Sequence, residues 1–182
     1  MRITGGTAKG LSIKGPADPR TRPTAARVRQ AVFDILGGAI EGTSFLDLFA
    51  GSGSVGLEAL SRGASRVLFV ESHPANAAVV RVNLRDTGFQ SKATVWCLDV
   101  RLALRRLVRR GERFQFVFAD PPYGQGWLKV LGEALSEAIL ADEGSLLVQA
   151  STHDSAGETL SGLLLQREYR YGDTRLLLYR HG

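Results

Sequence analysis

A chain of 182 residues has the length of a single domain and is long enough to bury a hydrophobic core. Hydrophobic residues make up 44% of the sequence and charged residues 23%, a balance that excludes an intrinsically disordered chain. No apolar run approaches the roughly 20 residues that span a bilayer. No apolar stretch follows the basic N-terminus, so we expect no signal peptide. We expect a cytoplasmic protein that acts as a monomer and has no membrane partner. Cys97 is the single cysteine and lies in an apolar run, so we expect a buried structural thiol.

The positive charge is concentrated at the N-terminus. The net charge of the whole chain is +5, and the first thirty residues hold seven cations against Asp18, which gives 7 − 1 = +6. The rest of the chain therefore sums to 5 − 6 = −1. A basic segment of this kind neutralises phosphates and steers a polyanion toward a protein, although it also keeps a chain soluble. We expect the N-terminal arm to bind phosphates.

The N-terminal region predicts two small elements. Residues 2–4 and 11–13 are expected to form a short hairpin, and residues 15–23 are expected to form an extended loop with three prolines. A helix is predicted through Leu36 because apolar residues recur there at helical spacing, and Thr24 can serve as its N-cap. Gly37 and Gly38 are expected to end that helix.

From Ser44 onward, strand and helix patterns alternate. Strands are predicted over 45–49, 66–70, 93–98, 114–119 and 145–149. One helix is predicted to follow the glycine turn and end at Ser61, and three more are predicted over 74–86, 100–110 and 126–140. Two more strand-like runs, 163–171 and 174–180, flank a tight turn and predict a hairpin. The strands are nearly continuous apolar runs, typical of a parallel sheet buried on both faces. We predict one α/β three-layer sandwich with a mostly parallel seven-stranded sheet, an antiparallel C-terminal hairpin, an arm over 1–23 and a core over 24–182.

A glycine-rich loop follows the first of these strands. Residues 47–56 read DLFAGSGSVG and contain G-x-G-x-x-G, which alone is a weak indication and would also suit a dinucleotide. Asp47 lies inside the strand, where its carboxylate can bind an ammonium group and would repel a pyrophosphate. S-adenosylmethionine carries an α-amino group and a sulfonium but no phosphate. The loop therefore favours S-adenosylmethionine as the cofactor.

Two further acids end neighbouring strands. Glu71 can accept hydrogen bonds from both ribose hydroxyls, and Asp99 can accept from the adenine amino group. Each has a structural alternative, since an acid at a strand end often caps the next helix. The residues predicted to bind the cofactor are Asp47, Phe49, Ala50, Gly51, Ser52, Gly53, Glu71, Asp99 and Val100.

The run Asp120-Pro121-Pro122-Tyr123 follows the fourth strand and predicts the catalytic site. Two prolines fix the backbone and remove two N–H donors, which leaves carbonyl groups free to face a ligand. The Asp120 side chain and the Pro121 carbonyl can accept hydrogen bonds from one exocyclic amino group, and Tyr123 can stack on the base. A base held in this way must lie outside a duplex. The alternative is a simple turn at the end of a strand.

These motifs resemble the S-adenosylmethionine-dependent methyltransferases with a D/N-P-P-Y/F motif, and most closely the RsmD-type 16S ribosomal RNA guanine-N2 methyltransferases. The likeness covers nearly the whole chain, including residues 2–6, 22–33, 46–53, 56–63 and 120–123. It implies a Rossmann-like fold, cofactor binding by Asp47, Gly51, Gly53 and Glu71, and a target in 16S ribosomal RNA or the 30S particle. Family members often carry an acid at the position of Ala26 and Glu at that of Gln30.

The RNA-binding residues expected from the arm and this resemblance are Arg2, Lys9, Arg20, Arg22, Thr24 and Arg27. A second basic run on and after the predicted helix 100–110 is interpreted as a solvated face, with RNA contact as the alternative. No Cys/His/Asp grouping has metal-ligand spacing, so no metal is expected. Three rival functions stay open: an adenine-N6 methyltransferase acting on DNA or RNA, a dinucleotide-dependent oxidoreductase, and a catalytically silent RNA-binding module.

Overall fold

The computed structural model describes residues 1–17, 26–122, 126–134, 139–154, 159–160 and 162–182. The chain divides into two compact units, Met1–Asp99 and Val100–Gly182. The organisation as a single domain, with an arm over 1–23 and a core over 24–182, stays a prediction.

The first unit alternates helices and strands. Its elements are α1 (Ala26–Leu36), a 3-10 turn (Gly37–Ile40), β1 (Ser44–Leu48), α2 (Ser54–Ser61), β2 (Arg66–Glu71), α3 (Pro74–Thr87), a 3-10 turn (Gln90–Lys92) and β3 (Ala93–Cys97). Strand β2 lies between β1 and β3 and pairs in parallel with both. Every residue of β1 is buried, which explains why the residues after Ser44 are apolar except for Asp47.

The N-terminal residues pack against the C-terminal end of α2. An antiparallel bridge between Arg2 and Ser12 confirms the predicted hairpin in minimal form. The Thr7 N–H donates to the Ser61 carbonyl at 2.7 Å, and the Ala8 N–H donates to the Ser61 hydroxyl at 2.9 Å. Gly6 allows this approach, because a Cβ atom on it would lie 1.7 Å from the Ser61 carbonyl oxygen. The first residues of the arm are therefore fixed to α2 by hydrogen bonds.

The second unit carries the antiparallel part of the fold. Its elements are α4 (Val100–Arg110), β4 (Phe114–Ala119), α5 (Trp127–Ala134), β5 (Leu140–Ser151), β6 (Thr159–Leu160), β7 (Leu163–Tyr171) and β8 (Thr174–Arg180). Strands β4 and β5 are parallel, whereas β8 is antiparallel to both β5 and β7. The C-terminal hairpin is confirmed, as is the α/β fold with parallel strands preceding it.

Two predictions about this unit are wrong in detail. The described residues hold eight strands rather than seven, because Thr159–Leu160 forms a short strand beside β7. The helix predicted through residue 140 ends earlier, because Leu140 already begins β5 and pairs with Phe114 of β4. Residues 135–138 lie outside the described part of the chain. Tertiary pairing overrides the helical spacing of apolar residues at this point.

The prediction of a buried thiol at Cys97 is also wrong, since the residue is exposed. It closes β3, which pairs with β2 and with no other strand of the described residues, so one edge of β3 faces outward. The apolar run therefore marks an edge strand that is only partly covered. In the described ranges, no helix combines the length and the apolar character that crossing a membrane requires.

Candidate functional site

The glycine-rich loop is a tight turn with three residues in the left-handed region. Gly51 and Gly53 have φ of 56° and 79°, and Phe49, directly after β1, has φ of 64°. Phe49 is the one non-glycine residue with positive φ among the residues that the structure describes. A side chain in that region costs roughly 1–2 kcal/mol, and such strain concentrates at ligand sites. The turn is closed by the Gly53 N–H, which donates to the Ala50 carbonyl at 2.7 Å.

The third glycine of the motif serves packing. Gly56 lies in α2, and a Cβ atom there would come within 2.3 Å of Cε1 and 2.7 Å of Cζ of Phe69. Phe69 belongs to β2 and is fully buried. Gly56 therefore lets α2 lie close against β2, which holds the turn before α2 in place.

Asp47 is bound to the start of α2. Its carboxylate is buried, with only 2% of the residue exposed, and Oδ2 accepts a hydrogen bond from the Gly56 N–H at 2.9 Å. That N–H is one of the free donors of the helix N-terminus, where an anionic ligand would otherwise bind. The Asp47 carboxylate therefore occupies the position at the N-terminus of α2 where a phosphate group would bind, and it supplies the negative charge there.

Glu71 joins the turn to the end of β2. Its Oε2 accepts from the Gly51 N–H at 2.7 Å, and its Oε1 accepts from the His73 N–H at 2.7 Å. A carboxylate offers about four lone-pair positions, so these two bonds leave acceptor capacity on both oxygens. The site thus contains two buried acids around a glycine turn, and residues 47–56 contain neither lysine nor arginine.

Asn83 is a site residue that the sequence analysis missed. It lies in α3, is 1% exposed, and donates from Nδ2 to the Ser52 carbonyl and to the Lys14 carbonyl, each at 3.0 Å. Its Oδ1 accepts from the Lys14 N–H at 2.8 Å. Asn76, on the same side of the helix and nearer its start, accepts from the Ala17 N–H at 3.0 Å. The available signal was a pair of amides seven residues apart on the buried side of one helix.

The remaining predicted cofactor residues lie where the third strand meets α4. Asp99 is half-buried and directly precedes α4, while Val100 is its first residue and is 3% exposed. Among the loop residues, Ser52 is buried at 3% and Ala50 at 9%. The roles assigned to these residues in cofactor binding stay predictions.

The Asp-Pro-Pro run begins directly after β4. Asp120 is half-buried, Pro121 is buried and Pro122 is exposed. The last four residues of β4 are buried, so they fix the point at which Asp120 leaves the sheet. Tyr123 lies outside the described residues.

The predicted RNA-binding residues divide into two groups. Arg2, Lys9 and Arg27 are exposed, as phosphate contact requires. Arg20, Arg22 and Thr24 lie outside the described residues.

Arg29 is one of the seven cations of the first thirty residues, but it lies in α1 and is only 2% exposed. Its Nε lies 3.6 Å from a carboxylate oxygen of Glu58, and Nη2 donates to the Arg2 carbonyl at 2.7 Å. Burial lowers the pKa of the Arg29 guanidinium, and the charge of Glu58 partly opposes that shift. Arg29 therefore stabilises the folded arm instead of adding to its surface charge. Within the described ranges, no three His, Cys, Asp or Glu residues form a group able to hold a metal ion.

Parallel βαβ units, a glycine turn with buried acids after the first strand, and an Asp-Pro-Pro run after a later strand together define the class of Rossmann-like methyltransferases. A protein-family model described as "Conserved hypothetical protein 95" matches residues 1–180. The chain belongs to this family.

Relatives and solved structures agree with this assignment. Ribosomal RNA small subunit methyltransferase D of Escherichia coli K12 is 32% identical over 185 residues, which cover 99% of this chain and 89% of that protein. YlbH of Bacillus subtilis, whose name places it provisionally among the rRNA methyltransferases, is 34% identical over 99% of this chain and 98% of its own length. The solved structure of a hypothetical protein from Thermus thermophilus covers 99% of both chains at 34% identity, with a TM-score of 0.86. The resemblance stated from the motifs is thereby confirmed.

Proposed function

We propose that this protein transfers a methyl group from S-adenosylmethionine to the exocyclic N2 of a guanine in 16S ribosomal RNA. The observation that carries the proposal is the full-length relationship to a protein named ribosomal RNA small subunit methyltransferase D, which spans 99% of this chain. A ribosomal RNA substrate in turn implies a cytoplasmic location. The residue chemistry of the site supports each part of the reaction.

The charge of the glycine turn suits S-adenosylmethionine better than a dinucleotide. The Asp47 carboxylate already holds the Gly56 N–H at the start of α2, and it would repel a pyrophosphate. A cofactor with an ammonium and a sulfonium group is instead attracted to Asp47 and Glu71. The cofactor supplies an activated methyl group when it is bound, and Glu71 retains acceptor capacity for ribose hydroxyls. These points count against the oxidoreductase alternative.

The Asp-Pro-Pro-Tyr run is proposed to hold the target base. The lone pair of an exocyclic amine is delocalised into the ring, which makes the nitrogen a poor nucleophile. Acceptors at the Asp120 side chain and the Pro121 carbonyl, aimed at the two amino hydrogens, favour a more pyramidal nitrogen. Positioning and electrostatic stabilisation then supply most of the rate enhancement. Asp120 is proposed to receive the proton that the nitrogen loses after transfer.

The exposed cations of the arm are proposed to bind phosphates of the RNA. Arg2 and Lys9 lie on the N-terminal hairpin that Ser61 fixes to α2, so their charge is presented by a folded element. Arg20, Arg22, Thr24 and Arg27 continue the same basic segment in the sequence.

The proposal is tested by methylation with labelled S-adenosylmethionine of 30S particles and of free 16S ribosomal RNA, followed by analysis of the modified nucleosides. We expect N2-methylguanosine. Asp120→Ala should reduce the rate by a factor of about 10²–10⁴, the range typical of a positioned acid–base group. Asp142→Asn removes an exposed carboxylate that pairs with Arg113 and serves as the matched control with an unchanged rate.

Different results would assign the rival functions. N6-methyladenosine as the product would replace guanine-N2 methylation by the adenine alternative. If neither the 30S particle nor free 16S ribosomal RNA is methylated, and if Asp120→Ala behaves like the wild type in cells, a catalytically silent RNA-binding module would be favoured. Binding of NAD(P)H without heat on titration with S-adenosylhomocysteine would identify an oxidoreductase.

A further inference from the structure

We propose that the arginine face of α4 is a second RNA-binding surface, separate in sequence from the N-terminal arm. The inference rests on the proposed function, since it takes ribosomal RNA as the partner. Helix α4 has the sequence VRLALRRLVRR, with five arginines and no acid, and all five are exposed. Arg101, Arg105 and Arg109 are spaced four residues apart and form one row, with Arg106 and Arg110 in the adjacent row.

Helix stability alone does not explain this arrangement. Cations in the last turn are favourable because they face the negative end of the helix dipole, which accounts for Arg109 and Arg110. Arg101 lies in the first turn, where the same dipole disfavours a cation. The like charges four residues apart also repel each other. A helix that carries such a repulsive row becomes more stable when a polyanion neutralises it.

The charges of Arg105 and Arg109 remain available to a partner. Arg110 pairs with Glu112 at 3.3 Å, whereas Arg105 and Arg109 make no ion pair with any residue in the described ranges. The Arg101 guanidinium lies 4.4 Å from the ring centroid of Trp127, in a cation–π contact that limits its freedom. A planar guanidinium held in this way loses less entropy when it binds phosphate.

The burial of α4 favours RNA over an anionic membrane as the partner. An interfacial helix binds a membrane by inserting its apolar face. Here Ala103, Leu104 and Leu107 are completely buried in the protein, so that face is not available. Leu102 and Val108 are partly exposed, at 54% and 41%, and do not form a continuous apolar stripe. What α4 presents to solvent is mainly charge, which suits a phosphate backbone.

The test compares Arg105→Gln/Arg109→Gln with the wild type in binding 16S ribosomal RNA at increasing salt. Each phosphate contact contributes about 0.7–0.9 to the steepness of log K against log salt, so losing two contacts should reduce the slope by roughly 1.4 to 1.8. Between 50 and 200 mM salt, the wild type should therefore lose about tenfold more affinity than the variant. In methylation of 30S particles, KM should rise while kcat stays unchanged.

Two controls distinguish binding through the α4 arginines from a general effect of net charge. Arg105→Lys/Arg109→Lys keeps the charge and should retain most of the slope. Arg81→Gln/Arg85→Gln removes the same charge at the same spacing from the exposed side of α3 and should leave RNA affinity unchanged. If the double variant does not fold, the single variants Arg105→Gln and Arg109→Gln test the same proposal, and each should change the slope by nearly 1.

The proposal is overturned if Arg105→Gln/Arg109→Gln keeps the wild-type slope and KM, or if the α3 control loses as much affinity. It is also overturned if the variant loses binding to phosphatidylglycerol vesicles but not to RNA. A wild-type protein that methylates no RNA would refute the proposed function, whereas the slope measured with RNA would still decide the role of α4.

Discussion

The amide of Asn83 connects the cofactor turn to the N-terminal arm, and its removal should weaken both. In Asn83→Ala, the buried Ser52 carbonyl loses its donor, and the Lys14 N–H and carbonyl lose both of their side-chain partners. A buried group without a partner costs about 1–3 kcal/mol, and each bond to the better-solvated Lys14 backbone contributes about 0.5–1.5 kcal/mol. We expect the free energy of unfolding to fall by about 2–6 kcal/mol, the sum of these contributions.

Cofactor binding provides the functional readout of this change. Release of the Ser52 carbonyl leaves the turn at Gly51 and Gly53 less ordered before the cofactor binds. If ordering it again costs about 1.4 kcal/mol, S-adenosylhomocysteine should bind about tenfold more weakly. Urea denaturation measures the stability, and isothermal titration calorimetry measures the affinity.

Asn76→Ala is the matched control for Asn83→Ala. Both asparagines lie on α3 and are 1% exposed, but Asn76 accepts a hydrogen bond from Ala17 of the arm. Its replacement should lower stability and leave the cofactor affinity within about twofold of the wild type. Equal losses of affinity in the two variants, or an unchanged affinity in Asn83→Ala, would refute the reasoning.

Two other predictions follow from buried charged or titratable groups. Glu58→Gln should lower the free energy of unfolding by about 3–5 kcal/mol, because it leaves the buried Arg29 guanidinium without its counter-ion. Arg62→Gln, which changes the more exposed partner of Glu58, should lower it much less. Equal losses of stability in urea denaturation would contradict this account. Burial raises the pKa of the Tyr179 hydroxyl, so its contribution to stability is complete below the unfolded pKa of about 10 and is lost as the pH rises toward the folded value. Denaturation between pH 8 and 11 should show a smaller alkaline loss of stability in Tyr179→Phe than in the wild type, and identical profiles would exclude this role.

Much of the site was predictable because its residues carry local patterns. The glycine spacing after an apolar strand predicts a tight turn, and the turn has positive φ at Gly51 and Gly53. Asp47 was identified because it is an acid inside the buried strand before the glycine motif, and Glu71 because it ends the next strand. Their hydrogen bonds to Gly56 and Gly51 were not predictable, since each joins residues 9 or 20 positions apart that only the packed α2 and β2 bring together.

Other errors arose where tertiary context outweighed a local pattern. Cys97 belongs to an apolar run, but the run forms an edge strand and leaves the thiol exposed. Arg29 belongs to a basic segment, but its helix turns it toward Glu58 and buries it. Burial depends on what covers a residue, and the residue's neighbours in the sequence do not state this.

The sequence by itself determined the alternation of strands and helices, the position of the glycine turn and the family, because hydrophobic periodicity and motif spacing are local properties. Tertiary structure decided which polar groups satisfy one another: Thr4 reaches Glu58, and Lys14 reaches Asn83, across 54 and 69 positions of the chain. Such pairs form only after the helices pack on the sheet, since a buried polar group must then find its partner among whatever groups the fold has brought near.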